Sequence, residues 1–175
     1  MPSSTRIRLI EPSDAVPIAA HRARDLEALR PWEPERPAGF FTPEGQSQRI
    51  DKLLAGYRAG STWPGVVLAE DQVIGQVTVA RIRPEPHMRR GSVGYWIAGV
   101  AQNQGHAGRA VGLVLRVMTD ELGLRRAEAS TRLENLASQQ VLRRNAFSPY
   151  GIAHSSVFLD GSWRDDLLWE RTLGD

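Results

Sequence analysis

Apolar residues recur along the chain at two spacings, and the switches between those spacings mark where strands give way to helices. Arg6 to Ile10 predicts a first strand, and Glu11-Pro12-Ser13-Asp14 then reads as a cap opening a helix to about Leu29, which Pro31 stops. In Pro31-Trp32-Glu33-Pro34-Glu35-Arg36-Pro37, three prolines remove donors and fix φ, which excludes regular helix and central strand. Thr42-Pro43-Glu44 opens a second helix reaching about Ala59, with Thr as cap and Pro at the first helical position. Gly65 to Glu70, Gln72 to Ile82 and Ser92 to Ala98 predict strands, with a loop from Arg83 to Arg90. Ala107, Ala110, Val111, Val114, Val117, Met118 and Leu122 fall on one face of a helix that Leu122-Gly123 ends. A strand from Arg126 to Thr131 and a helix from about Leu136 to Arg144 follow. Ser156 to Leu159 and Ser162 to Leu173 close the chain as strands, joined by Asp160-Gly161, a two-residue hairpin signal. The order β-α-α-β-β-β-α-β-α-β-β predicts an α/β (α+β) fold, one mixed sheet flanked by helices, without repeats or linkers.

The segment Gln102-Asn103-Gln104-Gly105-His106-Ala107-Gly108-Arg109 lies where a predicted strand runs into a predicted helix. The first N–H groups of a helix have no internal partner and carry the positive end of its dipole, so they favour a phosphate. Glycine and alanine let that group come close to the backbone. The spacing is neither Gly-x-Gly-x-x-Gly nor a Walker loop, which needs a Lys-Ser/Thr pair. A plain helix N-terminus is the alternative reading.

Composition narrows the picture. A chain of 175 residues, 41% hydrophobic and 24% charged, is expected to fold as a single domain spanning residues 1–175. No run of about 18 apolar residues predicts a membrane span, and the polar start lacks a signal peptide's apolar stretch, so a cytoplasmic protein is expected. With no cysteine, disulfides, cysteine nucleophiles and thiolate metal sites are excluded. The four histidines show no metal-ligand spacing, and no metal is expected. The net charge is +2, and the pI of about 9.5 reflects 21 arginines beside one lysine, Lys52. These arginines are scattered without interleaved aromatics, which makes a solvated surface the better reading and nucleic acid an unfavoured partner. A homodimer stays open.

Gln102-x-x-Gly105-x-Ala107 resembles the acyl-coenzyme A loop of the GNAT acetyltransferases, Gln/Arg-x-x-Gly-x-Gly/Ala. Three further segments are similar to one branch of that superfamily, the RimJ/RimL-type N-terminal protein acetyltransferases. Asn135-Leu136-Ala137-Ser138-Gln139-Gln140-Val141-Leu142 resembles that branch's Asn-x-x-Ser-x-x-Val-Leu. Asp160-Gly161-Ser162-Trp163-Arg164-Asp165 resembles its closing hairpin, and Pro31-Trp32-Glu33-Pro34 its proline-tryptophan loop. The matches run in order from residue 6 to 173.

The resemblance implies a GNAT fold, with a mostly antiparallel sheet of about seven strands. It implies acetyl transfer from acetyl-CoA, as co-substrate, to the α-amine of a protein or peptide, which for the named relatives is a ribosomal protein beginning with Ala or Ser. A small amino-bearing metabolite or antibiotic as acceptor, or a non-catalytic acyl-CoA-binding domain, remain alternatives. The cofactor loop is then residues 102–109, and an oxyanion donor is expected at the backbone N–H of Ile97 or Ala98. Many relatives carry a tyrosine seven residues after the asparagine, where this chain has Leu142; Ser138 is the candidate acid for the departing thiolate. Asn135 is expected to contact pantetheine or to cap its helix.

The general base is less determined. An α-amine gives up its proton more easily than a lysine by roughly 3 to 4 kcal/mol at neutral pH, so a weak or water-relayed base suffices. RimL-like relatives carry a glutamate where Val157 aligns. Glu128 can face the acetyl group or form a surface ion pair, depending on which side of its strand it takes. Glu33 can attract the acceptor's ammonium group or stand as an exposed loop charge. His106 reads as a pyrophosphate contact or an exposed side chain. Trp32 and Tyr95 are candidate substrate contacts, with core packing as the alternative for strand aromatics.

Overall fold

The computed structural model describes residues 4–174. β1 (Thr5–Leu9), β2 (Trp63–Ala69), β3 (Gln72–Arg83), β4 (Arg90–Ile97), β5 (Arg126–Arg132), β6 (Ser148–Leu159) and β7 (Ser162–Thr172) form one seven-stranded sheet in the order β1-β2-β3-β4-β5-β7-β6. Every neighbouring pair is antiparallel except β4 and β5, which are parallel. β2, inside the sheet, is buried along its length to Leu68, as expected of a strand covered on both faces.

Among the described residues five α-helices flank the sheet: α1 (Ala15–Arg24), α2 (Leu26–Leu29), α3 (Pro43–Arg58), α4 (His106–Arg116) and α5 (Leu136–Arg144). Ile18 of α1 and Ile50 of α3 pack with Ile10, Val66, Leu68 and Trp96 in one cluster. Ala110, Val111, Val114 and Met118 pack with Val77, Val79, Leu142 and Trp169 in the other, so the apolar face read from the 3.6-residue period is the buried one. No described helix is long and apolar enough to cross a membrane.

Several boundaries have clear local causes. Thr42 caps α3 by accepting the Gly45 N–H at 3.1 Å, and Pro43 begins it, as its sequence predicts. The Asp160-Gly161 turn has φ values of 47° and 76°, the positive pair that a two-residue hairpin turn requires. The first helix is not continuous to Leu29: it breaks at Asp25, whose carboxylate leaves the helix surface to accept the Gly99 N–H at 2.7 Å. The last α4 turn widens into a π turn over Val117–Glu121 before Gly123, at φ 59°.

β6 begins at Ser148, eight residues earlier than the Ser156 predicted from the alternation. Its pairing with β7 shifts register between Pro149 and Gly151 and again between Ala153 and Val157. Proline, glycine and bulges are tolerated here because β6 is an edge strand, and they mask the period-2 pattern. At the second irregularity Asp165 accepts the Ser155 N–H at 2.9 Å and meets His154 Nδ1 at 2.8 Å, so it anchors the hairpin.

Candidate active site

β4 and β5 stay paired only from Arg90 beside Arg126 to Ser92 beside Glu128, and past that point they splay. The antiparallel ladder between β3 and β4 alternates residues whose N–H faces the partner with residues whose N–H faces away. Ala98 N–H donates to Ile74 O at 2.8 Å, so Ile97, one residue earlier, turns its N–H toward the β5 side. The Ile97 carbonyl on that same side accepts Gln102 Nε2 at 2.9 Å, which ties the loop to the strand end. Of the two expected oxyanion donors, Ile97 directs its N–H toward the splay, and Ala98 is corrected: its N–H is already used inside the sheet.

An open cleft of about 850 Å³ occupies the splay. Tyr95 and Ile97 line it from β4, and Ala129 to Arg132 line it from β5. Gln102, Asn103 and the residues from Gly105 to Arg109 line it from the loop and α4, Asn135 and Ser138 from α5, and Trp32 and Glu33 from the proline-tryptophan loop. Gln104 is outside this lining, its side chain donating to Val100 O at 3.3 Å.

Gly105 is the cap residue immediately before α4, at φ 79° and ψ 4°, in the left-handed region that glycine enters freely. No side chain caps the helix start, so the N–H groups of its first turn are left for a ligand. A Cβ built on Gly108 meets nothing closer than Asn145 Nδ2 at 4.0 Å, so the surface beside that turn is open. This arrangement fits a pyrophosphate held by main-chain donors.

The side chains of this loop work differently from expectation. His106 is 3% exposed, its Nδ1 lying 2.8 Å from Thr5 Oγ1. Arg109 donates from Nε to that hydroxyl at 2.6 Å, so Thr5 passes its own hydrogen on to His106 Nδ1. Burial, assisted by the Arg109 charge, pushes the His106 pKa down and keeps the ring neutral. The imidazole is thus not an exposed group: through Nδ1 it joins α4 to β1 while still bordering the cleft. Arg109 also donates to Gln104 O at 2.8 Å, so it braces the loop.

On the opposite wall, Asn135 Oδ1 accepts the Ser138 N–H at 3.0 Å and caps α5. Its amide oxygen is committed to the cap. Asn135→Ala is expected to cost about 1 kcal/mol and lower the melting temperature by roughly 2 to 4 °C. A thermal melt checks this, and an unchanged melt would show that the cap contributes nothing.

Tyr95 Oη lies 2.8 Å from Ser138 Oγ and 3.2 Å from the Ser138 carbonyl, and its one hydrogen can be given to either. Burial pushes the Tyr95 phenol up to about 12, against a smaller opposing effect of the Ser138 bond, so it stays protonated at neutral pH. This pair brings together residues far apart in sequence. Strand parity places Tyr95 on the face of Val93 and Ile97, but nothing in the sequence indicates that the phenol meets Ser138. Leu142, at the position where many relatives have tyrosine, is 1% exposed and packs in the core.

Glu128 is corrected as a catalytic candidate. It sits at the last paired position of β4 and β5, 3.0 Å from Arg126 Nε and 3.5 Å from Arg90 Nη1, away from the cleft lining. Glu33 does line the cleft, but it accepts from Arg22 Nη1 at 2.6 Å and is not the lone loop charge that its sequence context allows. No cluster of three or more potential metal-ligating side chains occurs among the described residues.

Residues 5–148 match the Acetyltransferase (GNAT) domain family. The ribosomal-protein-S5-alanine acetyltransferase of Vibrio fischeri is 34% identical and superposes with a TM-score of 0.91, covering 98% of this chain and 94% of that one. Mycobacterium smegmatis RimJ, solved in complex with CoA-disulfide, is 28% identical with a TM-score of 0.92, covering 96% of this chain and 81% of that one. The [ribosomal protein uS5]-alanine N-acetyltransferase of Escherichia coli is 27% identical over 97% of this chain and 88% of its own length. With a matching profile over most of its length and the splayed β4–β5 cleft beneath it, the chain belongs to the GNAT acetyltransferase family.

Proposed function

We propose that this acetyltransferase uses acetyl-CoA to acetylate the N-terminal α-amine of a protein or peptide beginning with Ser or Ala, in the cytoplasm, with a ribosomal protein as the leading acceptor class. The observation that carries this reading is one continuous cleft from the uncapped start of α4, past the Ile97 N–H, to Trp32 and Glu33. One end suits a pyrophosphate and the other presents the Glu33 carboxylate to an amine.

Acetyl-CoA, when bound, supplies an activated acetyl thioester. The first-turn N–H groups of α4 hold its pyrophosphate. The Ile97 N–H, fixed in a rigid strand, stabilises negative charge developing on a carbonyl oxygen, and such a preorganised donor costs no reorganisation during reaction. Tyr95 has one phenol hydrogen; turned to Ser138 Oγ instead of the Ser138 carbonyl, it leaves the serine hydrogen free to hydrogen-bond a departing sulfur. Glu33, held by Arg22, attracts the acceptor's ammonium group, and water relays the proton away. The easy deprotonation of an α-amine makes a dedicated strong base unnecessary.

The test is mass spectrometry of peptides beginning with Ser or Ala, each paired with an N-blocked copy that retains its lysine side chains. The expected product carries one acetyl group on the α-amine, at a rate that varies with the residues behind it. Equal acetylation of unrelated small amines, with peptides ignored, would point to the small-molecule reading.

A further inference from the structure

Behind the Trp32–Glu33 end of the cleft lies a concentration of positive charge that the acetyl-transfer chemistry leaves unexplained. The guanidinium groups of Arg22, Arg36 and Arg49 converge on the ring of Phe40, at 5.9, 5.1 and 5.9 Å from its centroid. Arg22 also stacks 4.0 Å from the Trp96 ring, and Arg49 Nη1 lies 3.4 Å from Gln76 Oε1, an oxygen that Trp96 Nε1 already uses at 2.9 Å.

The local charges do not balance. Glu33 pairs with Arg22 at 2.6 Å. Asp25 also attracts Arg22, but its carboxylate is committed to the Gly99 N–H at 2.7 Å. Arg22 is only 4% exposed, and its buried Nε has no hydrogen-bond partner. Burial, then repulsion from Arg22 and Arg36, brings Arg49 down to about 10. Cation–π stacking offsets part of the cost of holding three like charges around one ring, but it satisfies no N–H group. The cluster is open at one side, because Arg36 is exposed and Arg49 and Phe40 are half-buried.

Glu33 and Trp96 belong both to this cluster and to the cleft lining, so the excess charge sits one side chain away from where the acceptor enters. We propose that Arg36 and Arg49, backed by the buried charge of Arg22, form a subsite for a carboxylate of the acceptor, an Asp or Glu side chain within the first few residues behind the amine. This rests on the peptide-acetyltransferase reading and narrows it. Amine and acid are then held from the two sides of Glu33: the carboxylate of Glu33 draws in the ammonium group, and the arginine forks take the acidic side chain.

The experiment compares Ser-initiated peptides that differ only by Glu or Gln at each of positions two to five. At one of these positions the Glu peptide is expected to show a kcat/KM roughly tenfold higher, the size of effect that a charge-assisted contact produces, and the ratio should shrink as salt rises. Arg36→Gln and Arg49→Gln should each move the Glu/Gln ratio toward one. A merely structural role would slow both peptides alike and keep the ratio, so a preserved ratio in both variants overturns the subsite. Equal kcat/KM for Glu and Gln at every position in the wild-type enzyme overturns it as well, while leaving peptide acetylation standing. If no peptide in the panel is acetylated, both readings fall.

Discussion

Replacing Gly105 by valine is expected to weaken acetyl-CoA binding by about 100-fold, corresponding to roughly 2.7 kcal/mol. Gly105 sits at φ 79°, where a β-branched residue is strained by about 1–2 kcal/mol. A Cβ there would meet Arg109 Nη1 at 2.8 Å. That group is the end of a flexible side chain and can move, but moving it loosens the bonds from Arg109 to Gln104 O and Thr5 Oγ1 that brace the loop. Relief of strain at Gly105 then rotates the first N–H groups of α4 away from the phosphate position. Calorimetry reads the affinity directly. A thermal melt gives an independent check: at about a hundred times the wild-type dissociation constant, ligand stabilises wild type by about 2.7 kcal/mol and the variant by only about 0.4 kcal/mol. Wild-type affinity in a folded variant would remove the loop from the cofactor site.

The effect is concentrated at one glycine because the side chains of His106 and Arg109 are turned inward. Gly105 was legible from the sequence because a strand-to-helix junction constrains the backbone locally. His106 and Arg109 were not, because their partner is Thr5, a hundred residues earlier, and polar contacts across such a separation leave no periodic trace. The same distinction holds for the fold. α4 was legible because its buried stripe repeats every turn, and α5 was predicted from Leu136 to Arg144, the bounds observed. Alternation predicts too short a β6 because most of its residues are exposed and its pairing is broken twice.

For the site, the backbone roles were more readable than the carboxylate roles. Ile97 lies at the end of a strand, and the ladder's alternation turns its N–H, not that of Ala98, toward the splay. Glu128 depended on how far β4 and β5 remain paired, which no single strand reveals, and the pairing lasts just long enough to place it among arginines. The cluster around Phe40 joins segments from α1, the proline-rich loop and α3. Along the sequence its arginines looked scattered; only the packing of two helices over one sheet face concentrates them.

Ser138→Ala is expected to lower kcat about 100-fold, the lower end of what a positioned proton donor contributes, while changing acetyl-CoA affinity far less. The substitution isolates the hydroxyl. The Ser138 N–H keeps its bond to Asn135 Oδ1, so the cap of α5 survives, and Tyr95 Oη keeps the main-chain carbonyl at 3.2 Å, so the buried phenol is not left without a partner. A donor to the departing sulfur acts on a group common to every reaction of the enzyme. The loss should therefore be the same for all acceptor peptides. A hydroxyl that instead held the peptide would give losses that vary with peptide sequence and appear mainly in KM. Tyr95→Phe should produce a smaller loss in kcat, because it removes the group that orients the Ser138 hydrogen but leaves the donor itself in place. Single-turnover measurements with several peptides separate these cases, and an unchanged rate of the chemical step in Ser138→Ala would show that the thiolate leaves without help from this residue.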